Sequence, residues 1–362
     1  MLRVAIVHDW LNQVGGAESV LEVLKETYPE APVYTSIYWP QAMPARYQEW
    51  DIRTSWLDSL PLIKKHHQPF LPLYPLAFEG FDLGGYDLVL SNKSAFCHGV
   101  ITPPGTTHIS YCLTPTRFLW GYHEYVKHEG LNPLAGALLT PVLPLLRLWD
   151  RIAADRVEHF IAISDTVRQR IEKFYRREAV VIHPPVEIDC FQVSDSHDDY
   201  FLIVSRLIPY KRIDLAVKAF NVLGLPLKII GDGRDRQRLE AMAKSNVEFL
   251  GRLADHEVGQ YLSRCKAFIF PGEEDFGIAP LEAQAAGRPV IAYAGGGALE
   301  TVVEGATGLF FREQTPESLA EAVSIFDAGD FESAAIRRHA QGFDKETFKS
   351  KLRAFVDDAL AP

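Results

Sequence analysis

Two glutamates in the second half of the chain, Glu274 and Glu282, are separated by seven residues in the segment PGEEDFGIAPLEAQAAGRPVIA. Pro280 favours the first turn of a helix, because the N–H that it lacks would have no partner there, and Glu282 is then expected in the same turn. Gly277 and Ile278 come just before, where backbone amides and the positive helix end can bind an anion. A nucleotide diphosphate would fit, with one acid on the ribose and the other on a sugar. Alone, the pattern also fits a helix-dipole acid and a solvated loop acid.

A second motif, SRLIPYKRID, supplies cations. Arg206 ends a predicted strand and Lys211 opens the next helix. The planar fork of arginine and the compact charge of lysine both suit a leaving diphosphate. Cations fixed at that place favour the transition state, because negative charge grows on the leaving group as it departs. The alternative is a solvated helix start.

Two glycine turns follow predicted strands. Gly15 and Gly16 lie in HDWLNQVGGAE, in the first strand–helix loop, and Gly231 opens GDGRDR. Either turn could face a phosphate or be a tight turn only. The first turn lacks the spacing of the G-x-G-x-x-G dinucleotide fingerprint, and GDGRDR fails at its third glycine, which disfavours a dehydrogenase.

The elements that must position these residues are short apolar runs, many of them followed by helical patterns. Such runs are typical of parallel strands buried on both faces. The runs are VAIV (4–7), DLVLS (87–91), HISYCL (108–113), HFIAIS (159–164), VVIHPP (180–185), YFLIVS (200–205), LKIIGDG (227–233), VEFLG (247–251), KAFIFPG (266–272) and PVIAYAGG (289–296). Strand alternating with helix predicts doubly wound α/β sheets, which bind ligands beyond the carboxyl ends of their strands.

The alternating pattern is interrupted once, between Pro184 and Asp199, by a segment rich in proline and acid. We interpret this segment as a linker. The predicted domains are therefore 1–190 and 191–343, followed by a C-terminal helix at 344–362.

Composition limits the function classes. The chain has 362 residues and a formal net charge of −10, so nucleic acid is not an expected partner. The four cysteines form no C-x-x-C pair, which argues against a zinc knuckle or a disulfide framework. No signal peptide or membrane-spanning run is visible, and a cytoplasmic protein is expected.

Two basic segments leave open the question of whether the protein contacts a membrane. LPLIKKHHQPFLPLYPLAF (60–78) could rest on the inner face of an anionic membrane or hold a lipid-linked acceptor, or it could be a loop packed on the first domain. The run from Arg168 to Arg177 has five basic residues and fits a solvated helix face better than a membrane patch.

Taken together, the motifs resemble glycosyltransferase family 4. Arg206 and Lys211, the Gly231 turn, FLG at 249–251, the Glu274-x7-Glu282 motif and the early glycine pair occur in the order that this family shows. The resemblance covers nearly the whole chain. It implies retaining enzymes with the GT-B fold, in which two Rossmann-like doubly wound α/β domains face each other across a cleft, and the last helix returns to brace the first domain.

The resemblance also implies a role for each motif. Arg206 and Lys211 would hold the donor diphosphate. Glu282 would bind the nucleotide ribose, and Glu274 would contact the transferred hexose. The other donor-binding positions that it implies are Gly15, Gly16, Gly231, Leu250, Arg252, Gly277 and Ile278.

The implied reaction is hexose transfer from a nucleotide sugar to a saccharide or lipid-linked acceptor. HDWLNQVGGAE and YCLTPTRFLW resemble the mannosyltransferase subgroup, which favours mannose from GDP-mannose as the donor. The usual proposal for the family is a front-face route in which the departing phosphate accepts the acceptor's proton. Positive side chains would replace a metal, so neither a metal nor another cofactor is expected.

The chain departs from the family pattern at Leu113, where many related mannosyltransferases carry a histidine after Tyr-Cys. His108 or His123 could take its place. Arg117 and Trp120, in the same loop, could contact the acceptor, the sugar or a phosphate, or could form only a capped and packed loop.

Two other functions stay open. A nucleotide-sugar epimerase of the same fold would release an altered sugar without needing an acceptor. A catalytically silent assembly subunit would bind nucleotide and transfer nothing. Product analysis separates both from a transferase.

Overall fold

The computed structural model describes residues 2–121, 141–194 and 196–361 and contains two compact units. Unit 1 comprises Met1–Pro185 with Phe348–Pro362, and unit 2 comprises Val186–Thr347. The predicted boundary after residue 190 lies inside unit 2. The division comes earlier because Val186 forms a parallel bridge with Asp344.

Unit 1 is built on a parallel sheet with the strand order β3-β2-β1-β4-β5-β6-β7. The strands are β1 (Val4–His8), β2 (Val33–Thr35), β3 (Ile52–Thr54), β4 (Leu88–Lys93), β5 (Thr107–Cys112), β6 (His159–Ala162) and β7 (Ala179–Val181). The apolar runs predicted all of these except β2 and β3. Those two have the sequences VYT and IRT, whose polar residues leave no continuous apolar run.

Amphipathic helices flank this sheet. Those described are α1 (Gly16–Thr27), α2 (Tyr74–Glu79), α3 (Arg117–Trp120), α4 (Leu143–Asp155) and α5 (Asp165–Tyr175). In α1 the buried side chains include Val20, Leu21 and Leu24, the residues whose spacing predicted the helix. Helix α5 starts after Ser164, whose hydroxyl accepts a hydrogen bond from the N–H of Val167.

Unit 2 contains a second parallel sheet, with the strand order β10-β9-β8-β11-β12-β13. Its strands are β8 (Phe201–Val204), β9 (Leu227–Ile230), β10 (Val247–Gly251), β11 (Phe268–Phe270), β12 (Val290–Tyr293) and β13 (Gly308–Phe311). The apolar runs predicted all except β13. Ile203, Ile229 and Ile269 pack into one core cluster, whereas Leu202 and Phe268 pack into another. Burial on both faces explains why these strands are apolar without alternation.

Helices follow the strands of unit 2. They are α6 (Ile213–Leu223), α7 (Arg236–Met242), α8 (Asp255–Arg264), α9 (Ile278–Ala285), α10 (Ala298–Thr301), α11 (Pro316–Ile325) and α12 (Ser333–Gln341). Short 3-10 helices occur at Pro40–Ala42, Ala45–Glu49, Trp56–Ser59, Gln68–Leu73, Cys97–Gly99, Pro209–Lys211 and Ala328–Asp330. Among the described residues, no helix combines the length and the apolar character needed to cross a bilayer.

The last helix, α13 (Lys345–Ala359), begins in unit 2 and belongs to unit 1 from Phe348 onward. The Phe348 ring meets the Tyr111 ring edge-on at 5.5 Å. Lys349 forms an ion pair with Glu26 at 2.9 Å. The helix therefore packs on the first unit through buried aromatic contacts and a charged pair.

Candidate functional site

The central feature of unit 2 is the place where its strand order reverses, between β8 and β11. These strands are neighbours, with Leu202 opposite Phe268. Helices that follow such a pair lie on opposite faces, which leaves a crevice at the carboxyl ends of the two strands. Lys211 follows β8 and Glu274 follows β11, and the lysine ammonium forms an ion pair with the glutamate carboxylate. Two motifs that are far apart in the sequence therefore meet at this edge.

Close backbone packing holds the two loops against each other. Lys211 ends the 3-10 helix Pro209–Lys211. A Cβ atom placed on Gly272 would lie 2.9 Å from the carbonyl oxygen of Lys211. Since real Cβ atoms essentially never come that close, the absence of a side chain at residue 272 lets the two loops touch.

A glycine-rich loop after β12 also packs against the backbone of Glu274. No function was predicted for this loop from the sequence. The N–H of Gly297 donates a hydrogen bond to the carbonyl oxygen of Glu274, at 2.8 Å. Gly296 has a φ of +59°, and a Cβ there would lie 2.2 Å from the same oxygen. Three consecutive glycines directly after a predicted strand were the available signal.

The Gly231 turn shapes the segment that carries Arg206. Gly231 has a φ of +128°, and a Cβ there would lie 1.9 Å from the carbonyl oxygen of Ser205. The N–H of Leu207 donates to the carbonyl oxygen of Asp232 at 3.0 Å. Arg206 itself is exposed at the end of β8. The glycine is thus required for the contact between two backbone segments.

Helix α9 positions Glu282. Gly277 precedes the helix with a φ of +95°, and Pro280 lies in the first turn as expected. Our expectation that Glu282 lies in that turn is wrong. The helix begins at Ile278, so Glu282 is its fifth residue, in the second turn. Burial, together with the smaller effect of the negative charge of Asp255, raises the pKa of the partly buried Glu282 carboxyl to about 7.

The proposed base-pocket residues lie at the end of β10. Leu250 is partly buried and packs against the cluster that contains Phe268 and Phe270. Arg252 is exposed just beyond the strand. Asp255, which opens α8, is close enough to influence Glu282. Leu250 and Arg252 therefore precede a helix start that lies near the Glu282 carboxyl.

In unit 1 the strand order reverses between β1 and β4, and the early glycines lie at that edge. Gly15 caps α1 in an extended conformation, and Gly16 begins the helix. The buried Glu18 carboxylate lies 3.3 Å from Nε2 of His8, and the Asn92 amide nitrogen lies 3.2 Å from Nδ1 of the same ring. The sequence analysis missed Glu18 and Asn92, because nothing in the local sequence joins them to His8.

Of the two histidine candidates for the role left open at Leu113, the structure describes only His108. His108 is fully buried within β5, with Nε2 2.9 Å from the Ser91 hydroxyl. Burial lowers the pKa of His108 to about 3, so the ring is neutral at physiological pH. It has no exposed surface for a ligand, which corrects the expectation that it contacts a sugar. His123 lies outside the described residues.

Trp120 belongs to a buried polar network, and Arg117 lies beside it. The indole N–H of Trp120 donates to the Asp150 carboxylate at 2.7 Å, and its ring stacks on Phe174 at 4.9 Å. These contacts favour the packed-loop interpretation for Trp120. Arg117 is partly buried as the first residue of α3.

The same network contains a lysine that the sequence analysis missed. Lys93 is fully buried and donates to the carbonyl oxygen of Thr114 at 2.9 Å and to the Thr116 hydroxyl at 3.2 Å. The Thr116 hydroxyl lies 2.8 Å from the Asp150 carboxylate. A buried charge is costly unless such partners satisfy it, so the network fixes the loop that follows β5.

The basic segment at 60–78 packs on unit 1. The His67 ring lies 4.8 Å from the Trp10 ring, and burial lowers the pKa of His67 to about 4. Lys64 forms an ion pair with Asp58 at 3.1 Å. These contacts favour the loop interpretation over a membrane-resting segment. Across the described residues, no cluster of three or more His, Cys, Asp or Glu side chains could hold a metal ion.

Two family models match consecutive parts of the chain. Glycosyltransferase Family 4 matches residues 14–189, and Glycosyl transferases group 1 matches residues 187–339. The chain is 38% identical over 155 residues to a GDP-mannose-dependent monoacylated alpha-(1-6)-phosphatidylinositol monomannoside mannosyltransferase of Corynebacterium glutamicum, covering 38% of this chain and 39% of that protein. It is 32% identical over 180 residues to an alpha-1,3/1,6-mannosyltransferase of Dictyostelium discoideum, covering 41% and 43%. Each match thus spans less than half of the relative's length.

A solved structure resembles the whole chain. Anabaena HepE in complex with UDP superposes with a TM-score of 0.74 at 17% identity, covering 99% of this chain and 100% of that one. At this identity the similarity bears on the fold, and it supports the two-domain GT-B architecture of the glycosyltransferases.

Proposed function

Because the chain belongs to the family 4 class of glycosyltransferases, we propose that it transfers a hexose from a nucleotide-sugar donor bound in unit 2. The observation that carries this proposal is the meeting of Lys211 and Glu274 at the strand-order reversal of the second sheet. A cation for a diphosphate and a carboxylate for sugar hydroxyls are thereby adjacent where doubly wound sheets bind ligands.

The donor contacts follow from this placement. Lys211 and Arg206 bind the diphosphate, and their fixed charges stabilise the negative charge that grows as the diphosphate leaves. The amides of Gly277 and Ile278 donate to a phosphate oxygen at the positive end of α9. Glu274 accepts hydrogen bonds from the hexose, and Glu282 accepts them from the ribose.

The remaining proposed donor contacts are peripheral. Leu250 and Arg252 contact the base, and Gly16, preceded by Gly15, leaves room for phosphate at the first strand–helix loop. Gly231 acts indirectly, by shaping the segment that carries Arg206.

We propose mannose as the hexose and GDP-mannose as the donor. The support is the similarity to two mannosyltransferases, one of which is named as GDP-mannose-dependent. The proposed reaction retains the anomeric configuration by a front-face route. The departing phosphate accepts the acceptor's proton, and no metal or other cofactor takes part.

The acceptor in this proposal is a saccharide or a lipid-linked sugar, and unit 1 contacts a membrane peripherally. Helix α4 exposes Leu145, Leu148 and Ile152, which recur at a spacing that places them on one helix face. The neighbouring α5 carries most of the basic run from Arg168 to Arg177. An exposed apolar helix face and a contacting helix that carries basic residues suit an anionic lipid surface.

The test is a binding and transfer screen with the purified full chain. GDP-, UDP- and ADP-sugars are titrated by ligand NMR, and transfer is then measured with saccharide and lipid-linked acceptors. We expect GDP-mannose to bind best, and Lys211→Ala to reduce transfer by about 10²–10³-fold. Release of an altered free sugar would favour an epimerase. Nucleotide binding with no transfer to any acceptor would favour a silent subunit.

A further inference from the structure

The two side chains that the proposed function assigns to different parts of the donor form an ion pair with each other in the structure. The Lys211 ammonium contacts the Glu274 carboxylate, and the two side chains are only 14% and 19% exposed. Lys211 also lies over the Tyr210 ring, 5.4 Å from its centroid. The two charged groups that a donor would contact are thus already paired with each other.

The surrounding backbone leaves little room for the pair to separate by loop movement. Gly272 packs against the backbone of Lys211, and Gly296 and Gly297 pack against the backbone of Glu274 and the residues after it. The N–H of Gly297 also donates to the Glu274 carbonyl oxygen. The exchange of partners must therefore come mainly from rotation of the two side chains.

We propose that the Lys211–Glu274 ion pair is an intramolecular competitor that makes the site discriminate a nucleotide sugar from a nucleoside diphosphate. This inference rests on the proposed function and deepens it. A diphosphate draws Lys211 away and leaves Glu274 as a partly buried carboxylate without its cation, beside a new negative charge. Such a group is costly. A nucleotide sugar offsets the cost, because hydroxyl groups of its hexose donate to Glu274.

The same exchange favours product release. Once the hexose has moved to the acceptor, Glu274 loses the hydroxyl donors and becomes available to Lys211 again. Re-formation of the ion pair then competes with the diphosphate for the lysine. The nucleoside diphosphate should accordingly bind more weakly than its contact with Lys211 alone would suggest.

The test measures nucleoside diphosphate affinity by calorimetry, with GDP, UDP and ADP as probes. Glu274→Gln keeps the side-chain size and removes the charge. We expect it to tighten binding of the preferred diphosphate by about tenfold, the scale of a charged hydrogen bond, while transfer falls. Glu273→Gln is the matched control, because it removes an exposed negative charge from the adjacent position. It should change the affinity less than twofold. Thermal unfolding establishes that both variants are folded.

A double-mutant cycle isolates the pair. In a Lys211→Met background, where no ion pair can form, Glu274→Gln should tighten binding clearly less than in the wild-type background, because it then relieves only the repulsion between the Glu274 charge and the diphosphate. Unchanged or weaker diphosphate binding in Glu274→Gln would overturn the inference, as would equal tightening in both glutamine variants. If the wild type transfers hexose, the proposed function survives either result. If no nucleotide binds the wild type at all, the proposed function fails first.

Discussion

Two acidic side chains near the carboxyl edge of the second sheet, Glu274 and Glu282, have different surroundings, which fits the different tasks that we propose for them. Glu274 has Lys211 as its ion-pair partner. Burial and the nearby Asp255 charge raise the pKa of Glu282, and no cation contributes to this shift. A carboxyl that titrates near neutral pH becomes a good acceptor for ribose hydroxyls only after it loses its proton.

This property predicts a pH dependence for donor binding. With a pKa of about 7, Glu282 is mostly protonated at pH 6 and mostly ionised at pH 8. Nucleotide-sugar affinity should therefore rise about tenfold from pH 6 to pH 8 if only the ionised form binds well. A nucleotide sugar is the right probe, because its diphosphate diester does not titrate in this range. Calorimetry at several pH values measures the effect.

The control for that measurement is Glu282→Gln, which cannot titrate. It should bind the donor weakly, with a flat pH profile over the same range. A wild-type affinity that stays constant from pH 6 to pH 8, or an unchanged affinity in the glutamine variant, would remove Glu282 from the ribose site.

At the scale of elements, glycine-rich turns fix the loops that carry the charges. Gly231, Gly272 and Gly296 each permit a backbone approach that a Cβ atom would block. None of these contacts involves a neighbour in sequence. The local sequence showed that turns were present. The backbone segments that these turns contact are determined by the packing of successive strand–helix units.

Gly231→Ala should lower the free energy of unfolding of unit 2 by about 3 kcal/mol or more. The change combines an unfavourable positive φ with a clash against Ser205. The matched control is Gly224→Ala, whose φ is +71° but whose Cβ would meet nothing within 4 Å. It should cost only about 1–2 kcal/mol. Chemical denaturation gives both values, and equal costs would contradict the steric role of Gly231.

Helix α4 permits a test of the proposed membrane contact. Leu145, Leu148 and Ile152 are 67%, 58% and 52% exposed. Replacing all three by glutamate should reduce cosedimentation with anionic phospholipid vesicles by at least tenfold, because apolar insertion is lost and negative charge is added. Val222→Glu, at an 82% exposed position on α6 of unit 2, should have little effect. If the wild-type protein does not cosediment with the vesicles, the proposed membrane contact is wrong.

At the scale of the whole molecule, each unit has a strand-order reversal, and polar residues gather at both. In unit 1 these are His8, Glu18 and Asn92, and in unit 2 they are Lys211 and Glu274. In both units these polar residues lie where the topology of a doubly wound sheet leaves a crevice. The proposed chemistry relies on protein cations for charge stabilisation.

That reliance predicts metal-independent transfer. Activity of the full chain should survive treatment with EDTA within about twofold, because Arg206 and Lys211 would supply the positive charge that a metal supplies elsewhere. Adding back Mg²⁺ or Mn²⁺ should then have little effect. A strict requirement for either ion would contradict this prediction.

Much of the fold was accessible from the sequence. Strands buried on both faces produce continuous apolar runs, and most of the strands were recognised from them. The strands that were not predicted, β2, β3 and β13, have only three or four residues each, and β2 and β3 also contain polar residues that interrupt any apolar run. Their positions come from pairing with neighbouring strands, which is a tertiary interaction.

The sequence by itself determined the type of fold and the candidate residues proposed to bind a diphosphate and sugars, because apolar runs and charged motifs are local properties. The tertiary structure decided which of those residues meet. It joined Lys211 to Glu274, buried His108 and packed Trp120 against Asp150. It also brought Glu18 and Asn92 to His8. Contacts across parallel strands depend on which strands become neighbours, and the strand order is fixed by the packing of the whole sheet.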